Sequence, residues 1–156
     1  MVKKITTKKK KMRENKHARK YNCVNWFEHY FRRFSKTSTF FEDSYKVFNL
    51  CVSKKIKGVI AAHSITNLWY VLRKQYSDEK CREIVLTLLD SFTISSLDTE
   101  KIKCAVQRNN FSDFEDCIQD EFAINHNASF IITRDKKDFI NSKIPSLLPT
   151  EFLSVG

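Results

Sequence analysis

The chain has 156 residues, 42% of them hydrophobic and 13% aromatic, which suits one domain with a sizeable core and excludes a disordered protein. Its net charge of +10 is localised. Residues 1–20 hold ten Lys/Arg and one Glu (+9), residues 21–40 three basic residues and one acid (+2), and residues 41–156 fifteen basic residues and sixteen acids (−1). No apolar run reaches the roughly 18 residues of a membrane span, and no apolar segment follows the charged start, so neither a membrane protein nor a secretory leader is expected. The five cysteines, Cys23, Cys51, Cys81, Cys104 and Cys117, are odd in number, widely spaced and free of any C-x-x-C pair. That pattern excludes a disulfide framework and a zinc-ribbon site, and it points to a reducing cytoplasm.

Residues 1–20 lack apolar periodicity and read as disordered. The run Lys8, Lys9, Lys10 and Lys11 can bind RNA phosphates, or it can simply be a solvated tail. Residues 21–40 (YNCVNWFEHYFRRFSKTSTF) interleave aromatics with arginines at neither strand nor helix spacing. Such interleaving suits single-stranded nucleic acid, or a segment packing irregularly. Residues 1–38 are therefore read as a basic, atypical segment, and residues 39–156 as the folded domain. From residue 41, Tyr45, Phe48, Leu50, Cys51 and Val52 mark a helix, with Gly58 as its stop. Val59 to Ala62 reads as a buried strand, and Ser64 as the cap of a helix placing Ile65, Leu68, Trp69 and Leu72 on one face. Trp69 and Tyr70 read as packing residues. Ser77 opens the next helix, Phe92–Leu97 is a strand, and Asp98 caps another helix. Ser112-Asp113-Phe114-Glu115 matches a capping box. Ala128–Thr133 is a strand, and Leu147-Leu148 a last short one before a turn of helix at Pro149. Helices alternating with short, unbroken apolar strands predict an α/β/α sandwich around a parallel sheet.

In such a sheet the working groups gather beyond the carboxyl ends of the strands. Asp135 sits there, two residues past Thr133, with Asp138 three residues further on. Asp113, Glu115, Asp116 and Asp120 crowd one helix start, and helical spacing puts Asp116 and Asp120 on one face. Paired carboxylates suit a hard divalent cation, which can activate a water against a phosphodiester. The same acids can equally be cap residues and partners of the helix dipole. His63 ends a strand and His126 ends a helix, and neither has a nucleophile spaced to work with it.

Residues 113–119 (DFEDCIQ), followed by residues 128–139 (ASFIITRDKKDF), resemble the C-terminal half of a PIN domain, closest to the VapC-type toxins. Residues 62–74 (AHSITNLWYVLRK) are similar to the second helix of that family, and Glu151-Phe152-Leu153 to its close. The resemblance covers residues 40–153. It implies a Mg2+- or Mn2+-dependent endoribonuclease, in a toxin–antitoxin setting with an antitoxin and a homodimer among the partners. It implies metal binding by Asp116, Asp135 and Asp138, a site role for Asn67 where many relatives carry Glu, and support from Asp113 and Thr133. The family opens with a buried central strand ending in an aspartate. Here Tyr21–Phe34 holds no aspartate and no apolar run, so the first strand is expected to be missing. Reading Val24–Arg32 one base on restores an apolar opening, which suggests a scrambled N-terminus. The corresponding alternative is an inactive PIN-like module that binds RNA or a partner.

Overall fold

A computed structural model describes residues 22–25, 39–111 and 113–154. Five parallel strands form one sheet in the order β3-β2-β1-β4-β5. They are β1 (Asn22–Asn25), β2 (Lys57–Ala61), β3 (Phe92–Ser95), β4 (Phe130–Ile132) and β5 (Ser146–Leu147). The helices are α1 (Thr39–Val52), α2 (Ala62–Leu72), α3 (Asp78–Ser91), α4 (Thr99–Gln107), α5 (Phe114–Asn125) and α6 (Pro149–Leu153). The tail lysines Lys8 to Lys11, the aromatic-arginine residues 26–34 and Ser112 lie outside the described residues.

The sheet is covered on both faces, because its strands point apolar side chains both ways. On one face Ile60, Phe92, Phe130 and Ile132 pack with Val47 and Cys51 of α1, Leu68 and Leu72 of α2, Cys81 and Leu88 of α3 and Phe152 of α6. On the other, Val59, Ala61 and Ile131 meet Ala105 of α4 and Cys117, Ile118, Phe122 and Ala123 of α5. Strand alternation explains the split: Val59 and Ile60 are adjacent and face opposite layers, as do Ile131 and Ile132. This is the expected α/β/α sandwich.

The expected loss of the first strand is overturned. Asn22–Asn25 is the central strand, with Cys23 opposite Gly58 of β2 on one side and Phe130 of β4 on the other. Two asparagines in a strand of four hide it from any search for an apolar run; its place is fixed by backbone pairing to two buried neighbours. β1 therefore lies inside the segment 1–38 and yet belongs to the sheet.

Three further local expectations change. Gly58 does not stop a helix; α1 ends at Val52, and Gly58 lies in β2. Its hydrogen faces the Phe92 ring so closely that a Cβ there would sit 2.3 Å from Cδ1 and 2.9 Å from Cys51 Sγ. Ser64 caps nothing: α2 follows β2 directly at Ala62, and Ser64 is buried within it. Asp113, inside the expected capping box, is the N-cap of α5. The Ser77 and Asp98 caps are as expected, accepting from Lys80 N (3.3 Å) and Lys101 N (2.9 Å).

Candidate functional site

The chain order of the strands reverses direction at β1. β1 leads to β2 and then β3 on one side through α1, α2 and α3, after which α4 and α5 return the chain to β4 on the other side. The crossovers therefore diverge between β1 and β4, where α/β sheets open a crevice at their carboxyl ends. α5 packs over both strands at this point. Its N-terminus, the turn after β4 and the start of α2 after β2 share this rim.

At the start of α5, Asp113 Oδ1 accepts from Glu115 N (2.7 Å) and Asp116 N (3.3 Å). That cap fixes the first turn and leaves Asp113 exposed at the edge. Asp116 faces inward and is 3% exposed. Its Oδ1 is buried and has no hydrogen-bond donor among the described residues. Burial, reinforced by the negative charges of Asp138, Asp113, Glu115 and Asp135, pushes its carboxyl up to about 7. Acids from two separate elements thus converge electrostatically on one buried carboxylate.

The turn after β4 answers for the carboxylates of FIITRDKKDF. Phe130, Ile131, Ile132 and Thr133 are all buried. Thr133 ends the run with its amide donating to Leu147 O (3.0 Å) and its Oγ1 accepting from Asp135 N (3.1 Å). Asp135 Oδ1 in turn accepts from Lys137 N (3.0 Å), so the aspartate shapes its own turn while remaining exposed. Asp138 is half-buried, and Phe139 anchors the far end in the core. Lys136 is drawn to Glu151 of α6 at 3.0 Å.

A family model described as PIN domain matches residues 33–137, which is 105 of 156 residues. The chain belongs to the PIN-domain family. PIN domains are nucleases as a family and typically work with a divalent metal, acting on RNA. The search among curated proteins found no match. β1 lies outside the span matched by the PIN model.

The geometry sorts the residues that the PIN resemblance singles out. Asp113, Asp135 and Asp138 are all brought within electrostatic range of Asp116, with Thr133 buried beneath Asp135. Asn67 is half-buried on α2. Among the described residues, no group of three or more His, Cys, Asp and Glu is drawn tightly enough to hold a metal ion. In chemical kind, though not in spacing, the donors suit a hard cation: they are all oxygen, and one is a buried carboxylate oxygen without a donor among the described residues. Asp120 separates from the group despite sharing a helix with Asp116. It is fully buried, paired with Arg108 at 2.7 Å and hydrogen-bonded by Ser142 Oγ. Burial works against the Arg108 charge, but the hydrogen bonds to Glu121 and Asp120 outweigh it and hold the guanidinium pKa up.

One position, Asn25, escaped the reading of the residues alone, and a second, His63, has surroundings that the sequence did not indicate. Asn25 ends the central strand, paired with Ile132 and level with the turn that carries Asp135. His63, two residues past β2, brings Nε2 to 3.8 Å from Glu115 Oε1 and stacks on Phe122 at 6.0 Å between ring centroids. Burial lowers its pKa, with Glu115 pulling the other way. Neither its ring nitrogens nor Glu115 Oε1 makes a hydrogen bond among the described residues. The signal for both positions was topological: each lies at the carboxyl end of a strand flanking the rim.

Proposed function

We propose that this PIN domain is a divalent-metal-dependent endoribonuclease of the VapC-like toxin kind, acting in the cytoplasm under control of an antitoxin. The observation that carries the reading is Asp116: a buried carboxylate with an unsatisfied oxygen, facing the acids of the neighbouring turn. A cation is the partner that would relieve both the burial and the mutual repulsion. Asp116, Asp135 and Asp138 would hold Mg2+ or Mn2+. When bound, such an ion activates water and stabilises charge at a phosphodiester.

The remaining roles belong to the chain. Asp113 fixes the first turn of α5, and so the direction of Asp116. Thr133 pins the turn that presents Asp135. Asn67 offers an amide that can bind a phosphate or sugar hydroxyl without adding charge. The Lys8 to Lys11 run attracts the RNA backbone.

A second reading has its own support. Asn67 stands where many PIN relatives carry Glu, and Tyr21–Phe34 holds no aspartate where the family opens with one, so the site is short of charge for a metal. On that reading the protein binds RNA or a partner without cutting. Incubating a mixed-sequence RNA with the purified protein in Mg2+ and in EDTA separates the two. Cleavage abolished by EDTA supports the nuclease. Intact RNA, bound in a way that weakens steeply with salt and survives EDTA, supports the binding module.

A further inference from the structure

We propose that the amino-terminal end of the sheet carries a separate anchoring site for single-stranded RNA, built on Tyr70, Arg73 and Lys74 of the α2 end and on Lys54, Lys55 and Lys57 at the start of β2. The choice of RNA as ligand rests on the ribonuclease reading; the site itself rests on charge and geometry. From Ser44 to Ser77 the chain holds six Lys/Arg and no Asp or Glu. This stretch runs from within α1 through β2 and α2. β2 is five residues long and α2 eleven, so each spans about 17 Å, and α2, which follows β2 without a loop, returns to the level of Lys57. Ile56 and Leu72 both belong to the core cluster on this face of the sheet, in keeping with that return. Five cations therefore share the rim opposite the acidic one.

All five are exposed, and none forms an ion pair among the described residues. Of the other described lysines, Lys46, Lys80, Lys101, Lys103 and Lys136 each lie against an acid, while the exposed Lys137 and Lys143 do not. Tyr70 decides the kind of partner. The residue is 54% exposed, although the sequence suggests a packing role. Arg73 Cζ lies 4.9 Å and Lys74 Nζ 4.4 Å from the ring centroid. Both cations lie over the exposed ring, so an unpaired base would stack there by displacing them from the ring onto its flanking phosphates. An acidic protein would use the cations and leave the ring idle. α2 connects this end to the candidate active site roughly 17 Å away, passing Asn67 on the way.

The test is fluorescence anisotropy with a fluorescein-labelled single-stranded RNA of mixed sequence, in EDTA. It uses the full chain and the full chain carrying K8Q/K9Q/K10Q/K11Q, so that the tail does not mask the effect. Tyr70→Ala should weaken binding about ten-fold or more, while Tyr70→Phe keeps it, because stacking needs the ring and not the hydroxyl. Arg73→Gln with Lys74→Gln should lower the slope of log K against log salt by roughly 1.4, two phosphate contacts at about 0.7 each. Unchanged affinity in Tyr70→Ala overturns the proposal. So does polyglutamate competing with RNA equally well in the wild type and in Tyr70→Ala, which would mark the patch as a dock for acidic protein. Because EDTA suppresses cleavage, an RNA that binds here yet is never cut in Mg2+ counts against the nuclease and not against the anchor.

Discussion

At Asp116, burial and four neighbouring acids act in the same direction, and the sign of the effect on stability follows. The folded carboxyl titrates near 7, above its ordinary 3.8, so between those values the folded state holds a proton that the unfolded state has released. Stability of the metal-free protein should fall as pH rises through that window, by on the order of 3 kcal/mol. Asp116→Asn should flatten that dependence in thermal melts run in EDTA from pH 4 to about 8. A variant with the same slope as the wild type would locate the effect elsewhere. Asn25 supports the opposite manipulation: Asn25→Asp puts a carboxylate at the end of the central strand and should raise the Mg2+-dependent cleavage rate, read on the same RNA substrate. These two residues also show the limits of sequence reading. Asp116 stood out through its helical spacing to Asp120 and through the PIN resemblance of residues 113–119. Asn25 was not, because an asparagine in a polar stretch carries no sign that its backbone lies between two buried strands. Asp120 looked equivalent to Asp116 by helical spacing, and only the fold reveals Arg108 and Ser142 against it.

Among the elements, β2 and β3 pack so closely that one hydrogen atom matters. Gly58→Ala would place its methyl against the Phe92 ring and Cys51 Sγ. It should cost about 1–3 kcal/mol in denaturant unfolding, and the loss should shrink when Phe92→Leu opens space beside it. The caps are a milder case: Asp98→Ala removes the acceptor for Lys101 N and should cost about 1 kcal/mol. Long periodic helices and strands of three or more apolar residues were legible, since their patterns come from the core they face. Helix starts that depend on how the chain enters were less so. α2 has no side-chain cap because β2 feeds straight into it, and a sequence offering Ser64 two residues later invites the wrong boundary.

For the whole molecule, the reversal of strand order around β1 makes that short strand the hinge of the architecture. Deleting residues 1–38 would remove it and leave β2 and β4 with unpaired inner edges. The truncated chain should fail to give a cooperative unfolding transition by circular dichroism, whereas one that melted like the full chain would show the sheet to be complete without β1. The molecule is also polarised, with carboxylates gathered at the carboxyl rim and unpaired cations at the amino rim. The layer order was readable from the alternation of helices and strands, but this polarity appeared only when the strands were stacked in order. The acidic rim carries the proposed activity, and the decisive measurement compares the wild type with Asp116→Asn on one fluorescent RNA in Mg2+. Cleavage by the wild type, reduced at least a hundred-fold (about 3 kcal/mol of barrier) in a variant with a native melting transition, is the predicted result. Equal cleavage by both proteins, or none by a well-folded wild type, would contradict it.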